Sequence, residues 1–209
     1  MTSSASTFAP PGEQDVTRLV LQNPFAWVVS ATDGELSATP LPIRPVLDAD
    51  GVVTELRGHF ARSNPHVDRL RHAPRALLLF MGPHGYISAS WLRDRTRTPT
   101  WNYAMVQYLV DVELVEDPGR TDALMRDLVD AMESGRQDAW SLEDMGSRYR
   151  QLARGVVGFH AHICERRVKF KLGQDERDAE YADIVAALGR EGEGDLLAWM
   201  QASNPGRGG

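Results

Sequence analysis

The rhythm of apolar and polar positions changes along the chain, and each change marks an element. Residues 13–23 place Val16, Leu19 and Val20 at helical spacing, which predicts a short amphipathic helix. "FAWVVSAT" (25–32) and "LSATPLPIRPVL" (36–47) read as strands joined at Asp33-Gly34, a hairpin signal, and "GVVTELRGHF" (51–60) as a third strand opened at Asp50-Gly51. The period then lengthens. Ser63 or Asn64 caps a helix with Pro65 at its first position and Val67 and Leu70 on its apolar face. "RALLLFMG" (75–82) has the unbroken apolar run of a buried strand, "HGYISASWL" (84–92) reads as another after a Gly-Pro turn, and the segment from Thr100 to Asp117 as a long one.

Residues 119–134 carry Leu124, Leu128 and Met132 at helical spacing, and Ser141 opens a further helix that reaches Arg154. "VVGFHAHICERRVKFKL" (156–172) is a hairpin or a long strand pair, and two helices follow, marked by Tyr181, Ile184, Val185 and Leu188 and by Leu196, Leu197 and Met200. Strands joined mostly by short turns, without regular alternation with helices, predict an α+β fold on an antiparallel sheet, a small β-barrel decorated with helices. Residues 1–12 are polar and proline-rich and are expected to be disordered, with a single domain over 13–203 that ends in the helices.

Composition narrows the function classes. The 209 residues are 42% hydrophobic and 25% charged, and no stretch approaches the roughly 18 to 20 apolar residues of a membrane helix. The N-terminal segment lacks the basic start and apolar centre of a secretory signal, so a cytoplasmic protein with no membrane contact is expected. One cysteine, Cys164, excludes a disulfide framework and a multi-cysteine metal site, and it reads as a small core residue. A net charge of −6 argues against nucleic acid as a partner. It leaves room for a small basic pocket holding one anionic ligand.

Candidate chemistry concentrates in three places. In "GHFARSNPH", a strand ends at His59, Arg62 follows, and a helix begins at Asn64-Pro65-His66. The unpaired N–H groups of a helix start beside an arginine suit a phosphate or carboxylate, with either histidine as a further ligand. "GPHGYISASW" (82–91) and "PTWNY" (99–103) set Tyr86, Trp91, Trp101 and Tyr103 beside hydroxyl and amide donors, the make-up of a site for a flat conjugated ligand or, equally, of a barrel core or a dimer interface. Lys169 and Lys171 alternate in "KFKL" and share one strand face, a solvated face or a pocket wall carrying two cations. No G-x-G-x-x-G, Walker A, H-E-x-x-H or nucleophile-elbow motif is present.

The segments "GHFARSNP", "GPHGYISASW", "TPTWNY" and "KFKLGQ", in this order, resemble the recurring motifs of PaiB-type proteins, the FMN-binding negative transcriptional regulators. The likeness runs from about Phe25 to Leu188. It implies a homodimeric flavin-type split β-barrel with cofactor pockets at the subunit interface. Within the family, the "GH…NPH" corner is similar to the haem-dependent piperazate synthases. That similarity implies haem b with His59 as the iron ligand, the histidine at His66 being a second mark of the same branch. The chain also departs from the common pattern: Gln107 and Val110 stand in "WNYAMVQYLV" for a histidine and a glycine, and Gly173 and Asp175 in "KLGQD" for a serine and an asparagine.

The reading that follows is a haem-dependent enzyme that closes N5-hydroxy-L-ornithine into L-piperazic acid, forming an N–N bond with loss of water. Iron held by His59 acts as a Lewis acid on the hydroxylamine, and binding both ends of this amino acid substrate in one pocket makes the attack intramolecular. Lys169, Lys171, Tyr86 and Tyr103 are the candidate catalytic acids and bases. Arg62, Asn64, His66 and Trp101 complete the cofactor set, Arg62 reaching a propionate or the substrate carboxylate. The alternative is an FMN-binding PaiB-type regulatory or redox-sensing protein, with Arg62, the helix start and the lysines on the flavin phosphate and the aromatic rings about the isoalloxazine. A cofactor-free interaction module on the same barrel is a third reading.

Overall fold

The computed structural model describes residues 7–207. In chain order the elements are α1 (Glu13–Gln22), β1 (Phe25–Thr32), β2 (Glu35–Pro42), β3 (Arg44–Leu47), β4 (Val53–Ala61), α2 (Pro65–His72), β5 (Arg75–Ile87), β6 (Thr100–Val115), α3 (Pro118–Glu133), α4 (Arg148–Ala153), β7 (Val156–Lys171), α5 (Asp178–Glu191) and α6 (Gly194–Ser203). The strands form one seven-stranded sheet in the order β2-β1-β5-β6-β7-β4-β3, the expected α+β fold. β1 pairs antiparallel with β2 and β5, and β4 with β3 and β7. At the β1–β2 turn Asp33 and Gly34 adopt φ of 52° and 82°, the left-handed pair that matches the twist of a two-residue hairpin. Among the described residues no helix is long and apolar enough to cross a membrane.

Five local expectations are corrected. The strand read over 36–47 is two, β2 and β3, divided at the buried Ile43. Gly82-Pro83 is not a turn, since β5 runs straight through it. Gly82 is there for closeness: a Cβ would lie 3.0 Å from Leu19 Cδ1 and 3.3 Å from the Ala104 carbonyl. The helix expected from Ser141 breaks into a 3₁₀ turn (Leu142–Met145) and α4, with Gly146 at φ 56° between them. The segment after Val156 is one long strand rather than a hairpin, and Cys164 on it is exposed. Period two sets Cys164 on the same face as His160 and His162, away from Phe159 and Ala161, which are buried.

The chain divides into two compact units, and the division falls inside α1, β5, β6 and β7. Among the described residues the first unit draws on 7–19, 81–106 and 167–207. Its core holds Val16, Leu19, Phe170, Tyr181, Ile184, Leu188, Trp199 and Met200. The Phe170 ring meets Trp199 edge-on at 5.6 Å, and the Arg18 guanidinium lies over the indole, 4.0 Å from the ring centroid. The buried Asn204 amide donates to the carbonyls of Leu172 (2.9 Å) and Met200 (2.8 Å), satisfying backbone groups at the end of α6. Phe8 belongs here too, its carbonyl accepting from Phe170 N–H at 2.9 Å, so part of the N-terminal stretch is tied to β7.

The second unit comprises 20–80 and 107–166. Val28, Ile43, Leu56, Phe60, Leu78, Phe80, Tyr108 and Phe159 fill it, each side chain of this size contributing about 1.5–3 kcal/mol on full burial. Gly58 lets Phe159 close on the sheet, since a Cβ there would stand 2.7 Å from the ring.

Candidate functional site

In the second unit the corner between β4 and α2 is built as its residues dictate locally, then filled by its own side chains. Asn64 caps α2 with φ −72° and ψ 120°, its Oδ1 accepting from His66 N–H at 2.9 Å. The His66 ring is buried, with Nε2 at 2.9 Å from Ser30 Oγ and Nδ1 at 2.9 Å from Thr39 Oγ1. Asn64 Nδ2 donates to the same Thr39 hydroxyl at 3.3 Å. Burial, and secondarily the Arg69 charge, push the His66 imidazole below its ordinary pKa. Both its nitrogens are engaged, and its ring packs edge-on to Phe60 at 5.4 Å.

Arg62 turns its guanidinium onto backbone. Nε donates to the Arg154 carbonyl and Nη2 to the Val156 carbonyl, each at 3.0 Å, with Glu116 at 3.4 Å from Nη1. Glu116 also takes Arg71 at 2.6 Å.

His59 lies elsewhere. It stands opposite Gly158 across the β4–β7 pair, and directly opposed residues share a face. A Cβ on Gly158 would meet Leu124 of α3 at 2.6 Å and Val115 at 3.4 Å, so His59 occupies the face covered by α3. Phe60, the next residue, faces Phe159 and His66 on the other side. The two histidines therefore do not share a cavity. His59 is half-buried, burial lowers its pKa, and no hydrogen bond engages its ring among the described residues. A neutral imidazole with a free nitrogen is the form that binds metal. Among the described residues no group of three or more His, Cys, Asp or Glu is set to hold a metal ion.

A network on the outward side of β4, β6 and β7 was not anticipated. His160 Nδ1 lies 2.8 Å from Glu55 Oε1, and His162 reaches Glu113 at 3.3 Å and Glu55 at 3.7 Å, the two rings stacked at 6.5 Å. Burial would raise the Glu55 pKa, but hydrogen bonds from His160 and Arg57 outweigh it and hold the carboxyl below its usual range. The period-two spacing of Glu55, Arg57 and His59, and of His160 and His162, was the signal that could have found it.

The first unit carries the aromatic candidates. Trp101, 54% exposed, stands 6.1 Å from the Tyr86 ring and 6.0 Å from His84. With Trp91, Glu191 and Glu193 these residues line a cavity of about 370 Å³. Lys171 is held against Thr100 Oγ1 and, at 3.1 Å, the Trp101 carbonyl. Lys169 Nζ sits over two rings, Phe8 at 5.4 Å and Tyr103 at 5.8 Å, with no carboxylate partner among the described residues. Tyr86 and Trp101 thus share one cavity, Lys169 and Tyr103 meet beside Phe8, and Lys171 braces the strand that carries Trp101.

Known proteins share this fold. The FAD and haem binding protein from Mycobacterium smegmatis superposes with a TM-score of 0.59 at 18% identity, over 82% of this chain and 77% of that one. The flavocytochrome Anf3 from Azotobacter vinelandii gives 0.56 at 18% identity, over 75% and 66%. In sequence, the chain is 26% identical over 185 residues to the protease synthase and sporulation protein PAI 2 of Bacillus subtilis, covering 88% of this chain and 87% of that protein. The family described as "Putative FMN-binding domain" matches residues 4–165, and the chain belongs to it.

Proposed function

We propose that the chain is an FMN-binding protein of the PaiB type with a regulatory or redox-sensing role. The observation that carries the reading is the exposed wall of Trp101, Tyr86 and His84 around its cavity. A bare indole offers a flat apolar face on which an isoalloxazine can stack, with the phenol ring of Tyr86, tilted 60° to it, as a flanking wall. Glu191 and Glu193 on the same cavity repel a phosphate, so the charged end of the cofactor lies away from them. Lys169, which has no carboxylate partner among the described residues, is the cation assigned to meet it in this reading. Lys171 fixes Trp101 through the strand, and Tyr103 holds Lys169 in place by its ring face. A bound flavin supplies reversible redox chemistry, while these residues bind and orient it.

The molecule acts in this reading as a homodimer on small-molecule ligands. Phe25 and Trp27, 66% and 50% exposed on one face of β1, form the apolar surface a second copy would cover.

A second reading rests on His59. An unengaged, half-buried neutral imidazole favours haem b and the piperazate synthase-like cyclase. With no multi-residue metal cluster among the described residues, an iron at His59 would bring its other ligands with it, as a porphyrin does. Hydroxyls engage both nitrogens of His66, which supports His59 as the ligand of the two.

The test is the absorption spectrum of the purified protein after equilibration with FMN and, separately, with haem. A flavin spectrum retained through gel filtration supports the first reading. A Soret band that His59→Ala abolishes, with no flavin retained, replaces it with the second.

A further inference from the structure

The second unit contains a cavity of about 460 Å³ that neither reading uses, within the range of roughly 300–1,000 Å³ typical of small-molecule sites. Its walls come from the first turns of α3 (Pro118, Thr121), from α4 (Tyr149, Arg150, Ala153) and from the start of β7 (Val156). Arg62, Arg154, Glu116 and Asp122 complete the lining.

Its charges do not cancel. Both carboxylates are already taken: Glu116 is shared by Arg62 and Arg71, and Asp122 lies 2.8 Å from Arg126 and accepts from the Tyr149 hydroxyl at 2.6 Å. Arg150 and Arg154 have no carboxylate partner among the described residues. Two exposed arginines without a carboxylate partner thus line a space whose apolar lining comes from Pro118, Ala153, Val156 and the buried Tyr149. Burial, together with the Asp122 bond, pushes the Tyr149 phenol up to about 12, so it stays protonated and holds Asp122.

A cation would find no free carboxylate here, and an inorganic anion would leave the apolar floor unfilled. We propose that this cavity binds a small organic carboxylate, its apolar body against Tyr149, Ala153 and Val156 and its carboxylate between Arg150 and Arg154. Guanidinium matches carboxylate in planar, charge-assisted hydrogen bonds, so the site selects acids over their neutral analogues.

The test uses the full chain and sodium octanoate, read as displacement of the fluorescent anion 1-anilinonaphthalene-8-sulfonate, with 1-octanol as the neutral control. Octanoate is expected to displace the probe at least ~10-fold more strongly than octanol does. Arg150→Gln/Arg154→Gln should weaken octanoate by a similar factor with an unchanged melting temperature. Ala153→Trp, which fills the cavity and keeps both charges, should abolish displacement. Equal competition by octanol on the wild-type chain overturns the proposal without any variant. Loss in only one of the two variants overturns it as well, since it leaves either a charged surface without a cavity or a cavity without anion selectivity. None of the lining residues belongs to the aromatic wall, so failure here leaves the flavin reading standing, and the reverse also holds.

Discussion

His59 and Gly158 face each other across β4 and β7, and the missing side chain of Gly158 is what lets α3 lie down over His59. A Cβ at Gly158 would stand 2.6 Å from Leu124 Cδ1, closer than real side chains approach. Gly158→Ala should therefore lift the helix and cost about 1–3 kcal/mol, as overpacking does. Urea denaturation should show a lower midpoint with an unchanged slope. An unchanged midpoint would mean that Leu124 can turn away freely.

Stability should respond to acid through the two histidines. Burial is the main cause that lowers both pKa values in the fold, with Arg69 adding to it for His66. Unfolded, each titrates near its ordinary value of about 6.5. In the window below that value and above the folded pKa, the unfolded chain binds more protons, so stability falls as pH falls and is flat above it. Denaturation midpoints at pH 7 and pH 5 should differ less in His59→Gln than in the wild type. An identical pH slope in the variant would remove His59 from this account.

How far the sequence reveals these arrangements depends on the range of the contacts. Asp33-Gly34 and Asn64-Pro65 are local instructions, and both elements form where they predict. Period two alone requires His59 and Phe60 to point to opposite faces. The partners of His66 were hidden because Ser30 and Thr39 lie 36 and 27 residues away. Arg62 looked like an anion ligand for the same reason: the carbonyls it holds are 92 and 94 residues further on. The aromatic motifs 82–91 and 99–103 read equally as a ligand site, a barrel core or a dimer interface, and the exposure of Tyr86 and Trp101 removes only the core reading for those two rings. The cavity beside α4 left no motif, because residues far apart in the chain line it.

If the flavin stacks on the first unit's wall, Trp101→Ala should weaken FMN binding by roughly fivefold to tenfold, the worth of about 1 kcal/mol of ring contact. Trp101 is half-exposed, so stability should move by no more than about 0.5 kcal/mol. Quenching of flavin fluorescence on titration measures the first and a thermal melt the second. Unaltered affinity would take the isoalloxazine off this wall.

Lys169→Gln separates the phosphate from the ring. Its ammonium meets only aromatic faces among the described residues, so removing the charge loses cation–π contacts worth about 0.5–1 kcal/mol at such a site. FMN affinity should fall and become less sensitive to salt, while riboflavin, which lacks the phosphate, should bind the variant and the wild type alike. Equal losses for both ligands would place Lys169 against the ring system instead.

Arg62→Lys tests whether the arginine of the corner holds the fold together rather than a ligand. A guanidinium spans the Arg154 and Val156 carbonyls with two nitrogens at 3.0 Å, and the single ammonium of lysine cannot satisfy both in that geometry. The loss should be about 1 kcal/mol, the net worth of one hydrogen bond on this half-exposed side chain. Hydrogen exchange should locate it at the start of β7, where the Gly155 carbonyl also accepts from Arg62 N–H, with the core of the unit protected as before. Uniform loosening of the whole unit would mean instead that the corner is coupled to the Phe60–Phe159 packing beneath it.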